Sequence, residues 1–427
     1  MSATAVDLTL SARWILPMTS PAEVLENHTV VVRDGRILEV LPTALAAGRY
    51  QGTVDVDRPE HLVLPGLVNA YARITPAPEH AAHPNRLHDA AVLCIADMLA
   101  SGTTCFCALG HYPEQSARTA AEQGLRTLIG IPIAETAGAW ARSPGEYLTR
   151  ALNFRDEYRG HPSIATAFAP DTPAIGDGTF ARIATLADEL DSGIVLALHE
   201  SRAAVGESLL RYGVRPLERM QALGLLTPAL TAAHMVEVSA ADIALAQRSG
   251  IAIILCPEAN CRAGDGPPPV AAWAASGLRL STGSGVAEPT AGFDLWNAVR
   301  SLSLLSQPPG TAPADGAAAL GAWDALALAT RGGAAALGLD AEIGTLEKGK
   351  WADLCCVDLR GPAMQRASLS QPHDPVGQWL WNGGRHAISD VWVSGRHLLN
   401  GGAFTRLDWP EVAARVRAWS AQPVRGD

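Results

Sequence analysis

Lysine is almost absent from this chain: of 33 Lys and Arg residues in 427, two are lysine, Lys348 and Lys350. The basic residues are also outnumbered. Against 43 Asp and Glu they leave a formal charge of -10, which argues against nucleic acid or an anionic membrane as a partner. There is no run of 18 uninterrupted apolar residues, so no transmembrane helix is expected. The opening stretch, Met1 to Trp14, lacks the basic start and apolar block of a secretory signal. Seven cysteines, at 94, 105, 107, 256, 261, 355 and 356, lack zinc-ribbon spacing. Cys105 and Cys107, and the adjacent Cys355 and Cys356, fall in apolar strand-like runs, where reduced core thiols are expected. These absences predict a soluble, reduced, cytoplasmic protein.

What is present organises into two kinds of segment. With 48% hydrophobic and 18% charged residues, the chain has an ordinary globular composition and is too long for one small domain. Its first 60 residues read as short strands. Val6 to Ile15 alternates, and Thr29 to Val40 carries a hairpin signal at Asp34-Gly35. The same texture returns at Ala352 to Asp358, Ile388 to Gly395 and His397 to Leu399, so residues 1–60 and 346–427 predict one small β-sandwich domain built from both termini. A helix is expected over Pro410 to Ser420.

Between these, residues 61–345 alternate apolar runs with amphipathic stretches. Strands are expected at Leu62–Ala70, Thr103–Leu109, Arg126–Pro132, Ile164–Pro170, Gly193–His199, Leu230–His234, Ala252–Pro257 and Leu278–Gly283. Helices such as Leu87–Ala100, Phe180–Leu190, Pro216–Leu223 and Ala240–Ser249 lie between them. Eight such units predict an α/β fold, a TIM (β/α)8 barrel, whose chemistry would sit at the C-terminal ends of its strands.

Several motifs carry a resemblance. They include Leu64-Pro-Gly-Leu-Val-Asn-Ala70, Ser101-Gly-Thr-Thr-Cys-Phe106, Ala233-His-Met235, Cys256-Pro-Glu-Ala-Asn260, Ile343-Gly-Thr-Leu-Glu-Lys-Gly-Lys-Trp-Ala-Asp-Leu354 and Asp374-Pro-Val376. In order and spacing they cover nearly the whole chain. The sequence resembles the amidohydrolase superfamily, and most closely its 5-methylthioadenosine/S-adenosylhomocysteine deaminases. The resemblance implies a zinc or iron(II) ion held by a His-x-His on the first barrel strand, a His on the fifth and an Asp on the eighth. Such an ion turns bound water into hydroxide near neutral pH.

At those positions this chain departs from the family's pattern. Tyr71-Ala72-Arg73 stands where the His-x-His is expected, and a permanent guanidinium repels a metal. Ala197-Leu198-His199-Glu200 registers on Glu200, leaving Ala197 at the ligand position. Gly283-Ser284-Gly285 replaces Gly-Thr-Asp. The strand-four Pro-His-x-Pro, whose His contacts substrate in the family, becomes Pro170-Asp171-Thr172-Pro173, and about a dozen residues separate Arg73 from Leu87 where the family has a long covering loop.

Glu200 and His234 remain. By resemblance they correspond to a proton-shuttling carboxylate and a His that polarises water; equally, they could be inherited polar residues satisfied by hydrogen bonds. Tyr71, Arg73, Asp171, His199 and Glu258 are the residues expected around a ligand. No metal or other cofactor is expected. Arg73, if it points into the mouth, should pair with Asp171 or Glu200, since an unpaired buried cation is costly. His111 and the loop residues Glu79, His80, His83, His88 and Asp89 are more simply read as a polar surface than as a metal cluster. Cys256 lacks an adjacent base, Gly264 to Pro269 shows no phosphate-binding pattern, and Trp379 and Trp381 are expected to pack.

Three functions stay open. The first is a metal-free, non-catalytic paralogue that binds a purine-like or anionic small molecule, either as a homo-oligomer or beside an active homologue. The second is a metal-independent hydrolase or lyase using Glu200 and His234. The third is a conventional amidohydrolase with an unrecognised metal site.

Overall fold

Short apolar runs that must hide both faces can do so in a closed parallel sheet wrapped by helices, and the chain does this. The computed structural model describes residues 3–74, 84–286, 292–307, 320–367 and 375–420. Four N-terminal strands, β1 (Thr4–Ile15), β2 (Leu25–Arg33), β3 (Arg36–Pro42) and β4 (Tyr50–Pro65), lead into the barrel. The barrel strands are β5 (Leu67–Arg73), β6 (Thr103–Leu109), β7 (Arg126–Ile133), β8 (Ile164–Pro170), β9 (Ile194–Leu198), β10 (Leu230–His234), β11 (Ala252–Leu255), β12 (Arg279–Thr282) and β13 (Gly285–Val286). Strands β14 (Leu354–Asp358), β15 (Ile388–Val393), β16 (Arg396–Asn400) and β17 (Ala403–Phe404) follow.

The last two barrel segments act as one broken eighth strand. Its first part pairs with β11, and its second part sets Gly285 beside Ala72 and Val286 beside Arg73 on β5, closing the ring. Inside the barrel pack Val68, Cys105, Cys107, Leu128, Val195 and Ile254. Neighbours one residue away, such as Phe106, Ile129 and Leu196, face the helices. The two β6 cysteines are thus buried core thiols, pushed well above the ordinary thiol pKa by that burial.

The terminal strands form a second sheet in the order β17-β16-β15-β14-β4-β1-β2-β3. Its first hairpin turns at Asp34 and Gly35, both left-handed (φ 54° and 72°), as a two-residue turn between right-twisted strands requires. The expected first barrel strand, Leu62–Ala70, proves to be two strands. Leu62 to Pro65 pairs with β14 in the terminal sheet, and Gly66 marks the crossing into the barrel. A Cβ there would collide with the Thr104 side chain, so the transfer needs a glycine.

Helix Trp409–Ser420 docks on helix Pro84–Ala100, where Arg415 and the Trp419 indole both donate to Asp89, at 3.0 and 2.8 Å. Asp89 therefore serves packing, while Glu79, His80 and His83 lie outside the described residues. Trp379 is fully buried, edge-on to Trp296 with 3.9 Å between ring centroids. Among the described residues no helix is long and apolar enough to cross a membrane.

Candidate functional site

The C-terminal ends of the barrel strands open into two adjoining clefts. The first is lined by Glu200, His234, Ala259, Asn260, Arg262, Ala263 and Asp265. His234 ends β10 in a left-handed conformation (φ 72°), followed by Met235 (φ 49°). Side-chained residues seldom adopt that region and need the surrounding structure to hold them there. The Asn260 amide donates to His234 Nδ1 at 2.9 Å, which leaves the imidazole proton on Nε2. That atom is buried without a hydrogen-bond partner and lies 3.6 Å from Glu200 Oε1. Burial lowers the His234 pKa, with the Glu200 charge opposing. Asn260 and Asp265 have no role assigned by sequence reasoning. Asn260 could have been found, because it closes the Cys256-to-Asn260 motif.

The second cleft is lined by Tyr71, Arg73, His111, Asp171 and Ala197 with apolar walls from Leu109, Pro132 and Ala169. Tyr71 stands between the two clefts. Its ring is buried, and it meets the His234 imidazole edge-on at 5.1 Å and 76°. Burial pushes the Tyr71 hydroxyl far above its ordinary pKa. The Asp171 carboxyl is likewise raised by its surroundings, although His111 and Arg73 pull against the shift. His111 is lowered, by burial first and by the Arg73 charge second.

Arg73 points into the mouth as expected, but the expected ion pair does not form. Among the described residues neither Asp171 nor Glu200 closes on its guanidinium, and Glu200 turns to His234 instead. Arg73 and Asp171 are both fixed to strand ends and line one cleft together with His111.

His199 also departs from expectation. It adopts φ 50° and swings out of the mouth, almost fully buried. Leu217 N–H donates to its Nε2 at 3.1 Å, which places the proton on Nδ1, bonded to Glu237 O at 3.0 Å. Burial lowers its pKa, so a neutral ring knits the loops after β9 and β10 to helix Pro216–Ala222. A ligand cannot reach it. His199→Ala should cost about 2–4 kcal/mol, from a cavity plus two orphaned backbone groups. A chemical-denaturation midpoint matching the parent would contradict this structural role. Glu258, in the first turn of helix Pro257–Ala263, is partly buried and lines neither cleft.

The positions at which the resemblance implies metal ligands lie at this mouth. Tyr71, Arg73 and Ala197 share one cleft. Gly285 is left-handed (φ 82°), and a Cβ on it would collide with the Ala259 Cβ. Ser284, just before it, is held by Asn69 through reciprocal bonds of 2.8 and 2.9 Å. Among the described residues no three His, Cys, Asp or Glu side chains gather closely enough to hold a metal.

Comparison with known proteins places this geometry among relatives. Residues 62–397 match the Amidohydrolase family. The chain is 33% identical to a 5-methylthioadenosine/S-adenosylhomocysteine deaminase of Teredinibacter turnerae, over 97% of each. It is 32% identical to one of Saccharophagus degradans, over 98% of this chain and 97% of that protein. A crystal structure of an adenosine deaminase from Xanthomonas campestris with bound zinc superposes with a TM-score of 0.90 at 34% identity, covering 98% of this chain and 99% of that one. A triazine hydrolase shares the fold at a TM-score of 0.86 and 19% identity.

Proposed function

The chain belongs to the amidohydrolase family, and from that premise we propose that its barrel mouth holds no catalytic metal and binds a small molecule instead. The observation that carries this reading is the set of side chains at the four expected ligand positions. A metal centre of this type needs neutral imidazoles and a carboxylate converging on one point. Tyr71 offers a phenol packed on His234, Arg73 a fixed cation, Ala197 a methyl group, and Gly285 nothing. The residues present do not fit the ion. With Glu200 and His234 as the remaining polar pair, the protein is retained as a binding or regulatory member of its family.

Purified protein should therefore carry far less than one equivalent of zinc or iron per chain by elemental analysis. Added zinc should elicit no ammonia from methylthioadenosine or S-adenosylhomocysteine. Stoichiometric metal that disappears when Glu200 or His234 is replaced would overturn the reading.

One observation favours a second reading, metal-independent acid–base catalysis. The His234 Nε2 is buried, unpartnered and 3.6 Å from Glu200, as a proton-transfer pair awaiting a substrate would be. Turnover of a purine or small amide by metal-free protein, abolished by Glu200→Gln, would establish it over the binding role.

A further inference from the structure

A cation and an anion face one cavity here without touching. Arg73 ends β5 and Asp171 directly follows β8, and both line the second cleft. The strands between them run in the order β5, β6, β7, β8. At about 4.8 Å per strand, three spacings set the two strand ends roughly 14 Å apart around the rim. The arginine stem covers part of that distance, and His111, two residues beyond β6, lines the same cleft. Among the described residues the Arg73 guanidinium meets neither a hydrogen-bond acceptor nor an ion-pair partner, so its planar fork of donors is left for something else.

The surroundings define what that could be. Leu109, Pro132 and Ala169 wall the cleft with apolar surface, which lowers the local dielectric and strengthens both charges. Arg73 is the one full-time cation on this lining. A guanidinium of this kind takes a carboxylate in two parallel bonds. A dianion is disfavoured, because Asp171 shares the cleft and Glu200 lies nearby in the adjoining one. A neutral purine would leave both charges unanswered.

We propose that the cleft between Arg73 and Asp171 binds a small zwitterion, its carboxylate on Arg73 and its ammonium on Asp171. The ligand bridges the gap that the two side chains do not close. This inference deepens the binding role proposed above and rests on it. The ligand class is a short amino acid whose charged ends are separated by a few bonds.

The test is calorimetric titration of the full chain with glycine, β-alanine and 4-aminobutanoate. Acetate, methylammonium, adenine and inorganic phosphate serve as comparators. One of the three amino acids should saturate a single site, with acetate and methylammonium at least about tenfold weaker. Arg73→Met and Asp171→Asn should each weaken it by at least about tenfold, and Arg73→Lys should restore part of the loss. Circular dichroism and thermal midpoints matching the parent establish that the variants are folded. Should Arg73→Met not fold, Asp171→Asn and Arg73→Lys carry the test, and parental affinity in both overturns the inference. It is also overturned if no amino acid binds up to about 10 mM, if Arg73→Met binds as the parent does, or if adenine or phosphate binds as tightly. The same preparations are assayed for zinc and iron. Stoichiometric metal overturns the metal-free reading whatever the titrations give, whereas metal-free protein that takes no zwitterion overturns this inference alone.

Discussion

A variant carrying Tyr71→His, Arg73→His, Ala197→His and Gly285→Asp together should neither hold zinc stoichiometrically nor release ammonia from methylthioadenosine or S-adenosylhomocysteine. Three of the four substitutions enter a shared cleft, where new imidazoles can be accommodated. The fourth is the obstacle. Gly285 sits at φ 82°, and a Cβ there runs into the Ala259 Cβ, with Cys256 Cβ at 3.5 Å beyond it. An aspartate must endure left-handed strain and displace a helix at once, which should lower stability by about 2–4 kcal/mol. Its carboxylate would also be delivered from a distorted backbone, and metal sites tolerate errors of only tenths of an ångström. Adding Ala259→Gly removes the collision but not the strain, so it should recover part of the stability and little of the metal. Chemical denaturation, elemental analysis and an ammonia assay read the three effects separately. If the quadruple variant matched the parent in stability, bound one zinc and turned over, the barrel mouth would differ from its relatives only in its ligands.

That obstacle is invisible in the sequence, where Gly283-Ser284-Gly285 shows a missing carboxylate and nothing more. Whether the backbone around a lost ligand has also moved is a tertiary property. The barrel itself was legible, because strands buried on both faces must read as apolar runs and helix ends carry local signals. Helix Ala240–Ser249 begins with Ser239 accepting from Asp242 N–H and ends at a left-handed Gly250, at the bounds its pattern predicts. The misjudged first strand is the exception that explains the rule: Leu62 to Arg73 is apolar throughout, and periodicity does not say which sheet a buried run joins.

The site was legible by halves. Glu200 and His234 sit on adjacent strand ends and do meet. Alternation along β9 sends Val195 and Ala197 into the barrel and predicts the same for His199. The left-handed turn at that residue (φ 50°) reverses the parity, and a histidine gives no warning of it. For Arg73 the sequence predicts a carboxylate partner, because a buried cation needs one. Both residues do line one cleft, but whether two side chains on a shared rim touch is a tertiary property written in neither segment.

The other large effect should arise far from the mouth, where the terminal sheet grips the bottom of the barrel. Arg126 opens β7 and Asp353 directly precedes β14; their side chains are 5% and 2% exposed and pair at 2.9 Å. The guanidinium also donates to Pro162 O at 2.8 Å and to the Ser394 hydroxyl at 2.9 Å, while Asp353 accepts the Ser394 amide at 2.8 Å. Trp351 covers the group at 5.3 Å. One arginine thus ties three separate segments together where water cannot replace it. Removing either partner leaves the other charge buried and unpaired, and that cost exceeds the worth of the pair itself. Arg126→Met and Asp353→Asn should each lower stability by about 3–5 kcal/mol. The double variant should lose less than the sum, because neither charge then remains to be stranded. A double-mutant cycle in urea measures this directly. Additive losses, or a single-variant loss under about 1 kcal/mol, would show that the pair behaves as a surface contact and that the two sheets are held by apolar packing alone.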